Sequence, residues 1–155
     1  MSPAVKNPPE NYHNVTPYLH IKGAAAAIDF YKNAFGAKEL FRLAQPDGRI
    51  GHAEIMIGDS AVMLADENPE MGVVGPASLG NTSVSLLVYV NDSDEVFKKA
   101  MSLGSIAKKP MTDQFYGDRS GTLIDPFGHM WTVATHKEDV SPEEMERRMA
   151  AFTAK

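Results

Sequence analysis

A chain of 155 residues without cysteine has no disulfide, no thiolate metal site and no cysteine nucleophile. This length suits one domain or two small fused halves, and such a chain buries roughly two-thirds of its unfolded surface. The net charge of −5, with scattered lysines and arginines, argues against a nucleic-acid partner, because phosphate binding needs a concentrated basic face. No apolar run approaches the roughly 18 residues of a membrane span, and residues 1–12 lack the apolar stretch of a signal peptide. We therefore expect a cytoplasmic protein without a membrane partner.

The first half of the chain predicts an arm followed by a strand, a helix and three strands. Residues 1–13 contain three prolines, which oppose regular structure, so we expect a flexible arm there. Alternating apolar residues predict the strands, and an apolar stripe at helical spacing predicts the helix, which Gly36 ends. The first module then spans 14–67, with strands at 16–22, 38–44, 50–57 and 61–65 and a helix at 24–35.

The second half repeats this order after a connector rich in proline and glycine at 68–81. IDFYKNAFGAKE aligns with EVFKKAMSLGSIAKK, and GDSAVMLADE aligns with FGHMWTVATH, which indicates an internal repeat and therefore a duplicated architecture. The second module spans 82–138, with strands at 83–90, 106–111, 115–124 and 130–136 and a helix at 93–103.

The tail, 139–155, begins a further helix at the sequence SPEE, a capping box with proline at the first helical position. We expect this helix to reach about residue 152. It either packs on its own domain or extends to a partner subunit.

The best candidate for chemistry is the pair His52 and Glu54. They lie two residues apart on a predicted strand, so both side chains share one face. Such a pair can share a proton, polarise a ligand or hold a weakly bound metal. The alternative is a polar pair on the solvent face of the sheet, matched against a lysine or arginine, and the sequence leaves both interpretations open.

A second unusual segment is DQFYGDRSG at 113–121, which mixes aromatic, acidic and basic residues with two glycines. This composition is typical of a bulged strand beside a binding site, and equally of a long hairpin tip. The chain also has nine methionines, which adapt to bulky planar ligands as readily as they fill a core.

Four stretches resemble the vicinal oxygen chelate superfamily, which includes glyoxalase I, extradiol dioxygenases and bleomycin-resistance proteins. Within it the chain resembles the PhnB-like family, over residues 14–152. The stretches are TPYLHIKGAAAAIDFYKNAFGAKE, GHAEIMIGDSAVMLAD, DQFYGDRSG and DPFGHMWTVATH. The resemblance implies an α+β fold of two tandem βαβββ modules, with half-barrel sheets around a cleft and a C-terminal helix. Paired modules, within a chain or across a dimer, complete such a cavity, and we expect a homodimer.

Metal-dependent members of this superfamily take ligands, typically His, Gln or Glu, from the first and last strand of each module. Carried over to this sequence, the four positions fall on Thr16, Met63, Ser85 and Thr132. None is a normal ligand of a catalytic divalent ion, which prefers imidazole or carboxylate. Moving the alignment along the same strand face offers His20 in place of Thr16, but only Leu87 or Ser83 in the second module. We therefore predict no tightly bound metal and no other cofactor.

The resemblance favours a small-molecule-binding protein that takes up a partly apolar ligand in its cleft, like the antibiotic-sequestering members. One alternative is a metal-dependent lyase, isomerase or dioxygenase with displaced ligands at His20, His52 and Glu54. Another is metal-free acid–base catalysis by the His52/Glu54 pair, so the sequence leaves open whether the protein is an enzyme. The residues expected to line the cleft are Tyr18, His20, Met63, Ser85, Tyr89, Phe115, Tyr116, Trp131 and Thr132. Strand alternation allows only one of the last two to point inwards.

Overall fold

The computed structural model describes the whole chain, residues 1–155, as two compact units, Met1–Asn81 and Thr82–Lys155. None of the helices is both long enough and apolar enough to cross a membrane. Unit 1 contains β1 (Tyr18–Ile21), α1 (Ala24–Phe35), β2 (Lys38–Ala44), β3 (Ile50–Ile57) and β4 (Ser60–Asp66). Its sheet has the order β1-β4-β3-β2, in which β1 runs parallel to β4 and the other pairs are antiparallel.

The core of unit 1 lies between this sheet and α1. Successive side chains of a strand point to opposite faces, and here one face is buried while the other is not. The buried residues of the strands contact the apolar side of the helix, which carries Ile28 and Tyr31, both fully buried. The core residues contributed by the strands include Leu19, Ile21, Ala53, Ile55 and Leu64.

A carboxylate from the last strand of unit 1 secures the start of α1. Asp66 Oδ1 accepts hydrogen bonds from the backbone N–H groups of Gly23 at 2.9 Å and Ala24 at 3.0 Å. Its Oδ2 accepts from the N–H of Ile50 at 2.6 Å. Asp66 thus ties the helix to the sheet, and its negative charge is favourable at a helix N-terminus.

Unit 2 repeats the topology. It contains β5 (Ser85–Tyr89), α3 (Ser93–Ser102), β6 (Ile106–Asp113), β7 (Asp118–Ile124), β8 (Met130–His136) and α4 (Pro142–Thr153). The order is β5-β8-β7-β6, and again the first strand runs parallel to the last. The predicted α+β fold of two tandem βαβββ modules with a C-terminal helix is therefore confirmed.

Two segments differ from the prediction. Residues 115–117 are not part of a strand: Gln114–Gly117 forms a tight turn between β6 and β7. In this turn Gln114 N donates to Asp118 O at 2.7 Å, and Gly117 adopts a φ of 103°. Within 113–121, residues 114–117 form the tip of the β6–β7 hairpin, and Asp113 and 118–121 belong to its two strands. The connector contains two short helical turns that the sequence did not predict, Pro69–Met71 and α2 (Pro76–Leu79), each beginning at proline and ending before glycine.

Helix α4 packs on its own unit. Its N-terminus is capped by Ser141, whose hydroxyl accepts from Glu144 N at 3.2 Å, as the capping box predicted. Arg148 Nη1 donates to the carbonyl oxygen of Phe115 at 3.1 Å, and the rings of Phe152 and Phe115 are 5.9 Å apart. The helix therefore contacts the turn between β6 and β7.

Candidate functional site

The sheet of unit 1 has a second face, turned away from α1, which we call the open face. Strand alternation places His52 and Glu54 of β3 there, together with Tyr18 and His20 of β1 and Met63 of β4. In the strand register Met63 lies between Tyr18 on one side and Glu54 on the other. The unit 1 residues that the sequence singled out therefore share one surface.

Tyr18, His52 and Glu54 form a chain of hydrogen bonds on the open face. The Tyr18 hydroxyl lies 2.8 Å from His52 Nδ1, and His52 Nε2 lies 3.1 Å from Glu54 Oε1. An ionised carboxylate only accepts, so Nε2 carries a hydrogen and donates to Glu54. In the neutral imidazole Nδ1 is then the acceptor, and Tyr18 donates to it. Glu54 thereby sets the tautomer of His52, and His52 orients the hydroxyl of Tyr18.

The N-terminal arm adds a fourth member to this chain. The Tyr12 hydroxyl donates to Glu54 Oε2, a contact between residues 42 positions apart in sequence. Burial, the hydrogen bond to Glu54 and the charge of that carboxylate together raise the pKa of Tyr12 to about 12. Burial and the charge of Glu54 also raise the pKa of Tyr18. Sequence reasoning missed Tyr12, because nothing local in a proline-rich arm indicates a long-range partner.

Aromatic rings surround the hydrogen-bonded chain. The Tyr18 ring lies 5.1 Å from that of His20 and 5.5 Å from that of His52. Phe41 of β2 lies 5.8 Å from the His52 ring and pairs with Glu54 in the register of β2 and β3. Tyr18 is 41% exposed and Phe41 44% exposed, so both rings are accessible to solvent. The sequence did not indicate Phe41, because its pairing with Glu54 depends on a register shift between Glu39 and Phe41 in β2.

The candidate residues of unit 2 separate into two groups. Ser85, Tyr89 and Thr132 lie on the sheet face turned away from α3. Trp131 lies on the opposite face, is only 3% exposed, and donates its indole N–H to Asp125 Oδ2 at 3.0 Å. Of the neighbours Trp131 and Thr132, Trp131 is therefore the core residue, which corrects its inclusion among the residues expected to line the cleft. Phe115 and Tyr116 lie in the turn between β6 and β7, with rings 5.3 Å apart.

A second polar cluster, which the sequence did not predict, surrounds Asp118 in unit 2. This buried carboxylate accepts from the Tyr89 hydroxyl at 3.0 Å and lies 2.7 Å from His136 Nδ1. The other ring nitrogen of His136 lies 2.8 Å from Asp139 Oδ1. Hydrogen bonds to these two carboxylates raise the pKa of His136. The cluster borders a groove of about 510 Å³ lined by Asp113, Gln114, Gly117, Asp118, Lys137 and Glu138.

The positions that would carry a metal in related enzymes hold hydroxyl and thioether side chains. Thr16 donates its hydroxyl to the His13 carbonyl oxygen at 3.2 Å, and the hydroxyls of Thr132 and Thr122 are 2.9 Å apart. Met63 offers only a thioether sulfur. These donors do not match the imidazole and carboxylate set that a catalytic divalent ion prefers. No group of three or more His, Asp or Glu side chains is arranged so that it could hold a metal ion.

Comparison with known proteins agrees with this architecture. An uncharacterized protein of Mycobacterium bovis, Mb0911c, is 39% identical over 140 residues, which is 88% of this chain and 92% of the relative. Among solved structures, TioX from Micromonospora sp. ML1 is similar with a TM-score of 0.61 and 25% identity, covering 83% of this chain and 100% of TioX. The PhnB protein from Bacillus cereus matches with a TM-score of 0.64 and 19% identity, covering 79% of this chain and 99% of that protein.

The likeness to the Bacillus cereus protein shows the fold alone. The family assignment has independent support, because a family model matches residues 17–133, which is most of the chain. The matched region begins just before β1 and ends within β8, so it covers both modules. The chain belongs to the glyoxalase/bleomycin resistance protein/dioxygenase superfamily.

Proposed function

We propose that this protein binds a small, partly apolar organic molecule on the open face of unit 1. The observation that carries the proposal is the hydrogen-bonded chain of Tyr18, His52 and Glu54 beside the exposed rings of Tyr18 and Phe41. Small-molecule sites typically combine apolar and aromatic surface with a few polar groups that fix orientation. Such a surface can hold a ligand through stacking and hydrogen bonds without an activated nucleophile.

For unit 2 we propose a ligand-contacting surface on its own sheet. Ser85, Tyr89 and Thr132 share the face away from α3, and Tyr89 is 61% exposed there. Membership in the superfamily supports a binding function, because bleomycin resistance proteins give the superfamily part of its name. Membership does not by itself specify the ligand, since one fold hosts many functions.

The proposed site works without a tightly bound catalytic metal. This part of the proposal depends on the donor types at Thr16, Met63, Ser85 and Thr132 and is tested by elemental analysis. Untagged protein, purified without chelator, is dialysed in turn against zinc, nickel, manganese and ferrous iron. We expect less than about a tenth of an equivalent of each metal and no thermal shift on metal addition. Near one equivalent per chain would favour the metal-dependent alternative, and His20→Ala and His52→Ala would then locate its ligands.

Ligand binding is tested by thermal shift against a panel of planar organic molecules. A ligand that binds only the folded state raises the unfolding temperature with concentration. We expect Phe41→Ala to weaken the shift produced by each ligand, whereas the matched variant Phe152→Ala, which removes an exposed ring from α4, leaves it unchanged. If no compound raises the unfolding temperature, or if Phe152→Ala weakens binding as much as Phe41→Ala, the proposed site is wrong.

A second candidate function is metal-free acid–base catalysis by His52 and Glu54. The observation in its favour is that Glu54 holds His52 in one tautomer, as a carboxylate orients the base in many acid–base pairs. Any compound that binds is therefore assayed for turnover by following its conversion with NMR. If the pair is catalytic, His52→Gln abolishes conversion and still binds the compound. If His52→Gln converts it at the wild-type rate, the catalytic role is excluded.

A further inference from the structure

We infer that Glu54 is the anionic anchor for a ligand that carries a positively charged nitrogen surrounded by carbon, that is, a small organic ammonium. This inference rests on the proposed function and names the chemical class of its ligand. It depends on three features of the open face: an incompletely neutralised carboxylate, the burial of that carboxylate, and the aromatic rings beside it.

Glu54 differs from the other acidic residues of unit 1 in its partners. Its side chain is only 14% exposed, yet no lysine or arginine forms an ion pair with it. The two groups that donate to it are the Tyr12 phenol and the His52 imidazole. Six other carboxylates pair with arginine or lysine: Glu39, Asp47, Asp94, Asp113, Glu138 and Glu144.

Two other acidic residues without a lysine or arginine partner, Asp66 and Asp125, have an evident structural role, whereas Asp118 of unit 2 has the same kinds of partner as Glu54, a phenol and an imidazole. Asp66 accepts three backbone N–H groups, at the start of α1 and of β3. Asp125 accepts two backbone N–H groups and the indole of Trp131. Backbone dipoles of this kind stabilise a carboxylate and hold a turn or a helix end. No backbone N–H donates to Glu54, so its charge does not serve the local chain geometry in this way.

The surroundings of Glu54 favour an organic cation over a hydrated metal ion. Tyr18 and Phe41 present exposed rings around His52, whose imidazole bonds to Glu54. The faces of aromatic rings attract cations, and the attraction is strongest where water is excluded. An alkylated ammonium is weakly hydrated and can contact rings and carboxylate together. The raised pKa of Tyr12 and of Tyr18 agrees with this arrangement, because both phenols respond to burial and to the negative charge of Glu54.

The test uses two probes of the same shape, choline and its uncharged carbon analogue 3,3-dimethylbutan-1-ol. Each is titrated into the full-length protein and followed by two-dimensional NMR of the aromatic side chains. We expect choline to shift the resonances of Tyr12, Tyr18 and His52, with at least roughly tenfold tighter binding than the alcohol. Glu54→Gln keeps the side-chain shape and should remove this preference. Glu70→Gln, which removes the same unit of charge from an exposed position, should keep it.

Three outcomes overturn the inference: equal or weaker binding of choline than of the alcohol, choline shifts outside the open face, or an unchanged preference in Glu54→Gln. Binding of the alcohol alone at Tyr18 and His52 overturns the cation class and still supports the proposed function, so the two failures are distinguishable. If Glu54→Gln fails to fold, Tyr12→Phe provides a second variant. It removes one donor from Glu54 and should bind choline more tightly, and unchanged or weaker binding would count against the inference.

Discussion

The hydroxyl of Tyr12 joins the N-terminal arm to the open face through its hydrogen bond to Glu54. Its pKa is raised from about 10 to about 12, so the folded protein retains the phenolic proton over a range where the unfolded chain loses it. The stabilisation is therefore fully present below pH 10 and is lost as the pH rises through 12.

We expect Tyr12→Phe to lower the free energy of unfolding at neutral pH by about 1–2 kcal/mol, since a hydrogen bond to a charged group is removed. Denaturant unfolding between pH 8 and pH 12 measures this loss and should show it shrinking above pH 10. Tyr116→Phe, in the turn between β6 and β7, is the control and should have no such pH dependence. Equal effects of the two substitutions would show that the Tyr12–Glu54 bond does not stabilise the fold.

A second prediction for a single residue concerns His136, which lies between the carboxylates of Asp118 and Asp139. These hydrogen bonds raise its pKa, so its contribution to stability is fully present below the unfolded value of about 6.5 and is lost as the pH rises through the folded pKa. His136→Gln should therefore destabilise the protein more at pH 5.5 than at pH 9, measured by urea unfolding. His13→Gln, in the arm, should not. A His136→Gln effect that is constant with pH would contradict the prediction.

At the scale of secondary-structure elements, the turn between β6 and β7 depends on Gly117. Its φ of 103° is unfavourable for other residues, and a Cβ there would lie 2.3 Å from the Glu138 carbonyl oxygen. Gly48 also has a positive φ, of 86°, but a Cβ there meets no atom within 4 Å. Comparing an alanine substitution at Gly48 with one at Gly117 therefore separates the cost of backbone strain from the cost of steric overlap.

We expect Gly48→Ala to lower the free energy of unfolding by about 1 kcal/mol and Gly117→Ala to lower it by more than about 2 kcal/mol, because overlap adds to strain. Thermal and urea unfolding of both variants provide the measurement. Lys137 and Glu138 both donate their N–H groups to Gly117 O. Gly117→Ala should therefore also destabilise the segment before α4, which adds to the loss of free energy of unfolding. Similar losses for both variants would show that the 137–140 segment moves aside without difficulty.

At the scale of the whole molecule, the sheet faces turned away from the helices leave large apolar side chains exposed. Leu43 and Phe41 in unit 1 are 60% and 44% exposed, and Leu87 and Tyr89 in unit 2 are 50% and 61% exposed. Exposed apolar surface of this kind typically marks a binding or association surface.

We therefore predict a homodimer, as the resemblance to paired-module proteins also implies. Size-exclusion chromatography with light scattering should give twice the chain mass of 16.9 kDa over a wide range of protein concentration. Leu87→Asp should reduce the dimer fraction, whereas Leu79→Asp, at an exposed position of α2, should not. A mass of one chain at every concentration would contradict the prediction.

Much of the architecture could be predicted from local patterns. Helix α1 and the strands β2, β3 and β8 have the bounds that periodicity and turn residues predicted, and the internal repeat predicted that unit 2 copies unit 1. Prediction failed at 115–117, where aromatic residues favour a strand but Gly117 requires a turn. It also failed in the connector, whose helical turns are too short to produce a periodic pattern.

The sequence by itself therefore determined the order of the elements, which residues of a regular strand share a face, and the placement of His52 and Glu54 on one surface. These follow from the period of a strand and from turn chemistry, both of which act over a few residues. Only the tertiary structure placed Tyr12 on Glu54, Phe41 beside His52, and Trp131 in the core rather than in the site. The first two contacts join residues that are distant in the chain, and the burial of Trp131 depends on which face of the sheet the helix covers. No local sequence pattern specifies a distant partner or the covered face.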